Sequence, residues 1–247
     1  MEKTRPNIRH VEVSEIERFI ANVGERPFRV KQIVEWLWQK HAHSFDEMTD
    51  LSKDLRKQLV EHFTFPALQI DVTQQSEDGT LKTRFRTFDD HLIEGVLIPT
   101  SERKTACVSS QIGCSLSCKF CATGTMDRKR NLNFDEIYDQ VVYINQQSEA
   151  THEKHLSNIV FMGMGEPLMN YHNVLKAIEK ITSPEGLGMS AKRITVSTAG
   201  LVKQIRQLGD DGVKFKLAIS LHAPNDKKRN EVMPINESNN IKSLVEA

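Results

Sequence analysis

The sequence predicts an α/β protein: a partial (β/α) barrel of about four strand–helix units, preceded by a small helical domain and a short β-rich extension. Three observations lead there. After Thr105, strand-like and helix-like segments alternate at the length of βα units. Before Pro66, apolar residues recur at helical spacing. Between the two lie short alternating runs around a turn.

Residues 1–66 read as the helical domain. Ile16, Phe19, Ile20 and Val23, then Ile33, Val34, Leu37 and Trp38, keep a helical period. Ser14, with Glu17 three residues on, is a candidate N-cap; Gly24 and Pro27 stop the first helix before Phe28 opens the next. Ser52 is placed to cap a third helix, and Pro66 closes the unit. Residues 67–104 form the extension, with runs over Leu68 to Gln74, Leu81 to Phe88 and His91 to Ile98 about an Asp78-Gly79 turn.

Residues 105–247 carry the βα units: a strand in TACVSSQIG, a helix from Phe134 to Gln147, a strand in NIVFMG and a helix from His172 to Thr182. RITVST, a helix over Leu201 to Leu208, VKFKLAISLH and a helix starting at Asn240 follow. An eight-unit barrel takes about 250 residues, so this stretch cannot close one. The last residues, IKSLVEA, read as a helix without a cap, which predicts a fragment of a longer chain. No internal repeat or low-complexity tract is present.

The 247 residues contain 33 Lys and Arg against 33 Asp and Glu, so there is no global field for a nucleic acid; any RNA site must be local. Residues 101–133 hold six basic residues against two acidic, and residues 189–230 hold nine against three, excesses able to line an RNA channel. Arg26, Arg29 and Lys31, beside Trp36 and Trp38, can dock an RNA stem by shape and phosphate contacts, with the tryptophans themselves in the core. No apolar run approaches the roughly 20 residues of a membrane span. The start, MEKTRPNIRHVEVSEIERF, lacks a secretory apolar segment, which predicts a cytoplasmic protein.

All four cysteines fall within fifteen residues, which in a reducing compartment argues for metal or redox chemistry. Cys114, Cys118 and Cys121 form C-x3-C-x2-C in the loop after the first strand of the βα region. Three thiolates from one loop suit a cubane iron–sulfur cluster with one iron left open, whereas structural zinc normally takes four ligands. A zinc site completed by Cys107, or a redox pair of Cys118 and Cys121, is the competing reading.

GCSLSCKFCATG resembles the cluster loop of radical S-adenosylmethionine (SAM) enzymes, with Phe120 as the aromatic before the last ligand. With RPFRVKQIVEWLW, LIEGVLIP, CVSSQIGC, FMGMGEPLMN, ITVSTAG and LAISLHAPND, the chain from about Arg26 onward resembles the RlmN/Cfr family of radical SAM RNA methyltransferases. The family barrel has six units, of which about four are present here. The resemblance implies a [4Fe-4S] cluster on Cys114, Cys118 and Cys121. It also implies SAM contacts by Gly165, Glu166, Ser197, Ser220, Leu221 and His222. Glu94, whose apolar run could desolvate it partly but which strand alternation alone makes an outward-facing charge, is implied as proton acceptor, and Cys107 as a thiol that resolves a protein–RNA adduct.

The implied reaction methylates carbon 2 of adenosine in 23S rRNA and in tRNA and consumes two SAM molecules per turnover. One SAM methylates a cysteine; the other yields a 5′-deoxyadenosyl radical that activates that methylcysteine. A disulfide formed in each turnover is then reduced, and a flavodoxin-like donor is the expected reductant. No cysteine follows Cys121, so the methyl-carrying cysteine is not in this sequence, and the chain by itself is expected to be inactive. The alternatives are Cfr-like methylation at carbon 8 and a non-catalytic, zinc-stabilised RNA-binding module.

Overall fold

A computed structural model describes residues 5–247. The chain divides into two compact units, one comprising residues up to Ala67 with Lys180–Gly188, the other Leu68–Glu179 with Met189–Ala247.

The first unit is built on α1 (Val13–Asn22), α2 (Phe28–Trp38) and α3 (Lys53–His62). Ile16, Phe19 and Ile20 of α1, Ile33 and Leu37 of α2, and Leu55 and Leu59 of α3 are buried, as the helical period requires. Gly24 adopts φ +75, the left-handed conformation that ends α1. Ser52 caps α3 by accepting from Leu55 N at 3.1 Å. The Ser14 cap is corrected: α1 begins two residues earlier, at Val13 with Glu12 in the cap position, which puts Ser14 inside the first turn. Trp38 is core, while Trp36 donates its indole N–H to Asp50 at 2.5 Å.

The second unit is organised by one seven-stranded sheet. Its first strands, β1 (Gln69–Gln75), β2 (Leu81–Arg86), β3 (Leu92–Pro99) and β4 (Lys104–Cys107), pair antiparallel in succession. A two-residue ribbon, β5 (Gln111–Ile112) with β6 (Arg130–Asn131), follows, and then α4 (Phe134–His152). From β4 the sheet continues parallel through β7 (Asn158–Phe161), β8 (Ile194–Thr198) and β9 (Lys216–Ile219). The crossovers are α4, α5 (Tyr171–Thr182) and α6 (Val202–Asp210); α7 (Asp226–Val232) and α8 (Ile241–Glu246) follow β9. The four parallel strands, β4, β7, β8 and β9, are one side of an open seven-stranded sheet whose edges are β1 and β9. The antiparallel strands thus extend the same sheet, and α4 packs against β3 and β4. Asp139 on α4 accepts from Leu68 N, and Tyr143 donates to Leu68 O at 2.8 Å.

Register separates the two faces, because paired residues share a face and side chains alternate along a strand. Phe85, Ile93, Leu97, Ala106, Ile159, Phe161, Ile194 and Val196 are fully buried on one side. On the other, more open side lie Arg84, Glu94, Val96, Cys107, Val160 and Thr195.

The strand expected through TACVSSQIG is shorter. It ends at Cys107; Val108 N still donates to Val160 O at 3.0 Å, and past it Gln140 of α4 takes the Ser109 backbone groups, accepting from Ser109 N at 2.8 Å and donating to Ser109 O at 3.0 Å. At its far end α4 outruns the expected Gln147 and stops at Glu153, which takes a left-handed φ of 53. The helix over Asp226–Val232 was not expected; Asn225 caps it by accepting from Lys228 N at 3.0 Å.

Candidate active site

Cys114, Cys118 and Cys121 lie in the loop between β5 and β6, held at both ends. Lys119 N donates to Val232 O at 3.0 Å, and Lys129 N donates to Ile112 O at 2.8 Å. Leu116 and Cys118 pack with Ala199 and Met233. A cavity of about 250 Å³ is lined by the three cysteines, Phe120, Gly163, Gly165, Glu166, Ser197 and Ser220. It sits at the C-terminal ends of β7, β8 and β9, where (β/α) folds carry their ligand loops.

Gly165 (φ +93) brings the backbone against Gln111: an added Cβ would sit 2.4 Å from the Gln111 Cβ. Gln111 in turn accepts from Glu166 N at 2.9 Å. Glu166 is a buried carboxylate; Oε1 accepts from Leu168 N at 3.0 Å and Oε2 from Ala199 N at 2.7 Å. Burial raises its pKa, and the two backbone donors act against that rise. Two engaged oxygens leave spare acceptor capacity for a ligand cation. Beside it the Ser197 and Ser220 hydroxyls lie 3.3 Å apart. Leu221 and His222 continue from Ser220; both are exposed, and the His222 ring stacks on Phe120 with centroids 3.9 Å apart.

Burial pushes the Cys118 thiol up to about 11, and the neighbouring Cys114 and Cys121 thiolates and Glu166 add to the rise. Burial also raises Cys114, helped by Glu166 and Cys121. Such a set favours a positively charged core that relieves the repulsion among its ligands. Among the described residues no three His, Cys, Asp or Glu side chains gather closely enough for a single metal ion. A cubane instead presents a different iron to each thiolate, so three thiols around one cavity fit it.

Cys107 stands apart. It is on β4, paired with Val96 and Val160, and is not among the residues lining the cavity. Burial raises its pKa, opposed by a hydrogen bond from the Met162 backbone. Glu94 shares its sheet face by register. Glu94 is on the more open face, as strand alternation alone predicts: its side chain is 44% exposed and meets Lys82 Nζ at 2.8 Å. All four cysteines are free thiols.

Three residues escaped the sequence reading. Ser109, fully buried, donates to Glu94 O at 2.6 Å and accepts from Met164 N at 2.9 Å, tying the Glu94 strand to the Gly165–Glu166 loop. Gln111 and Arg229 are also fully buried among the site loops. Ser109 and Gln111 stand inside CVSSQIGC, where only the cysteines drew attention. Arg229 falls in a run of charges that reads as a solvated face. The basic excesses shrink accordingly: Arg229 is buried, Lys104 is buried and donates to Thr100 O, and Arg130 pairs with Asp89 and Glu136, each at 2.7 Å.

Comparison with known proteins agrees with this geometry. The family described as ribosomal RNA large subunit methyltransferase N-terminal domain matches residues 6–65, and the radical SAM superfamily matches residues 108–247. The chain is 56% identical over 240 residues to a probable dual-specificity RNA methyltransferase RlmN of Cytophaga hutchinsonii, covering 97% of this chain and 66% of that protein. It is 52% identical over 247 residues to the protein of the same name from Flavobacterium psychrophilum, covering 100% and 71%. A crystal structure of a radical SAM methyltransferase from Sphaerobacter thermophilus superposes with a TM-score of 0.88 at 39% identity, covering 98% of this chain and 71% of that one. The chain belongs to the radical SAM superfamily and, within it, to the RlmN family of RNA methyltransferases. That family uses a [4Fe-4S] cluster and SAM, so the non-catalytic zinc module is set aside. The chain spans about two thirds of the length of these relatives.

Proposed function

We propose that the protein carrying this chain methylates carbon 2 of adenosine in 23S rRNA and in tRNA. One observation carries the reading: the three-cysteine loop, Gly165–Glu166, Ser197 and Ser220 line one cavity at the C-terminal ends of parallel strands. The names of the relatives favour RlmN chemistry over the carbon-8 alternative.

Carbon 2 of adenine is electrophilic, so polar methyl transfer fails there; the cluster and SAM, when bound, supply the one-electron chemistry that avoids this. Cys114, Cys118 and Cys121 would hold the cluster. Glu166 has spare lone pairs that would accept from the SAM ammonium, and Ser197, Ser220, Leu221 and His222 would complete the SAM contacts. Glu94 takes the proton from the ring carbon. Cys107, as a thiolate, attacks the sulfur of the methyl-carrying cysteine, which is not in this sequence: the S–S bond forms as the bond from that sulfur to the transferred carbon breaks, the released electron pair passes to the adenine, whose new methyl group gains a proton, and the reductant restores the two thiols. The helical unit docks the RNA, and the electrons come from a flavodoxin-like donor in the cytoplasm. Among the described residues no helix is long and apolar enough to cross a membrane.

The test is mass spectrometry of nucleosides from 23S rRNA and tRNA of cells with and without the gene, beside iron analysis of anaerobically reconstituted protein. Gene-dependent 2-methyladenosine, with about four irons per chain lost in Cys114→Ala, is the expected result. 8-Methyladenosine would select the carbon-8 reaction, and colourless zinc protein would overturn radical chemistry.

A further inference from the structure

Arg229 of α7 is fully buried, and a guanidinium stays charged in any protein site. Among the described residues all its hydrogen-bond partners are neutral. Nε donates to Leu221 O at 3.2 Å, and Nη2 to Ser220 O at 3.3 Å and Ala199 O at 2.5 Å. Nη1 donates to Asn239 O at 3.3 Å and to Asn236 Oδ1. Asp226, the acid one turn earlier, is engaged by Ile241 N at 2.9 Å and Asn236 Nδ2 at 3.0 Å. A buried charge without an ionic partner is costly, so another anion is called for.

The same helix grips the cysteine loop. Val232 O accepts from Lys119 N at 3.0 Å, and Met233, next in the chain, packs with Leu116 and Cys118. Three of the carbonyl partners of Arg229, those of Ala199, Ser220 and Leu221, belong to the loops that follow β8 and β9, and Ala199 passes the link on by donating to Glu166.

Resting on the cluster reading above, we propose that Arg229 is a positioning residue with two tasks. It clamps the Ala199 and Ser220–Leu221 loops into one rim, and it supplies the buried counter-charge to the cluster on Cys114, Cys118 and Cys121. A cubane held by three thiolates is anionic and becomes more so on reduction, so a fixed cation behind Cys118 favours the reduced form.

The test is spectroelectrochemical titration of the anaerobically reconstituted chain, wild type against Arg229→Gln and Arg229→Lys, with iron content and the spectral response to SAM. In Arg229→Gln the reduced-to-oxidised ratio at fixed potential falls about tenfold, which for one electron is about 59 mV. Arg229→Lys keeps the ratio within about twofold of wild type, because the charge remains, yet responds to SAM more weakly because the fork of donors is gone. A merely structural residue would lower iron content without moving the potential of the clusters that form. Arg229→Gln loading iron at an unchanged potential would overturn the proposal, as would Arg229→Lys falling as far as Gln. If neither variant folds, the role is structural and the proposal fails. Wild-type protein that takes up no iron would overturn the cluster reading itself, a different outcome from either.

Discussion

Ser109→Ala is the most direct probe of how the site loops are held. The hydroxyl is fully buried, donates to Glu94 O at 2.6 Å and accepts from Met164 N at 2.9 Å. Alanine keeps the volume nearly constant but removes both bonds. The Met164 N–H is left buried without its acceptor, about 1–3 kcal/mol, and the bond to Glu94 O adds about 1 kcal/mol, so a total of about 2–4 kcal/mol is expected. For a unit of this size that lowers the midpoint by roughly 5–15 °C. Tryptophan fluorescence would report on the wrong unit, since Trp36 and Trp38 are both in the helical one. Far-UV circular dichroism, with hydrogen exchange of peptides spanning Met162–Asn170, reads the right one. Ser110→Ala is the control: Ser110 Oγ makes only a 3.4 Å contact to Met164 O, and its loss should cost under about 1 kcal/mol. If Ser109→Ala is no less stable than Ser110→Ala, and the Met164 amide exchanges no faster, the tie between the Glu94 strand and the Gly165–Glu166 loop does not exist as described.

Asp89 is held well below the usual carboxylate range by its hydrogen bonds to Arg130, so it stabilises the fold above its unfolded pKa. That contribution fades as pH falls below about 4, toward the lowered folded value; acid titration of Asp89→Asn should show a flatter loss, with about 1–3 kcal/mol already missing at neutral pH. Cys107→Ala should retain the iron content of wild type, because Cys107 lies outside the cavity, whereas Cys118→Ala should lose it; equal loss in both would return Cys107 to the ligand set. Phe85→Ala, emptying a fully buried position under β2 beside Tyr143, should cost about 3–5 kcal/mol by urea denaturation.

What the amino-acid order determined by itself was local. The cysteine spacing, the Gly24 stop, the Ser52 cap and the alternation from Thr105 onward are short-range patterns, and the elements they foretell are present. The three cysteines were legible from their spacing, and Gly165, Glu166, Ser197 and Ser220 from the family resemblance; all of them line the one cavity. Tertiary structure alone decided the rest. Strand alternation turns Glu94 outward, but its ion pair with Lys82, diagonal to it on the neighbouring strand, was set by register. The strand through TACVSSQIG stops early, and past its end Gln140, on a helix about thirty residues away, takes the Ser109 backbone groups. Arg229 reads as surface charge in KKRNE, yet the carbonyls that surround it come from loops up to thirty residues distant. Local pattern reports which face a residue prefers; whether a polar group can be buried depends on partners that only the folded chain supplies.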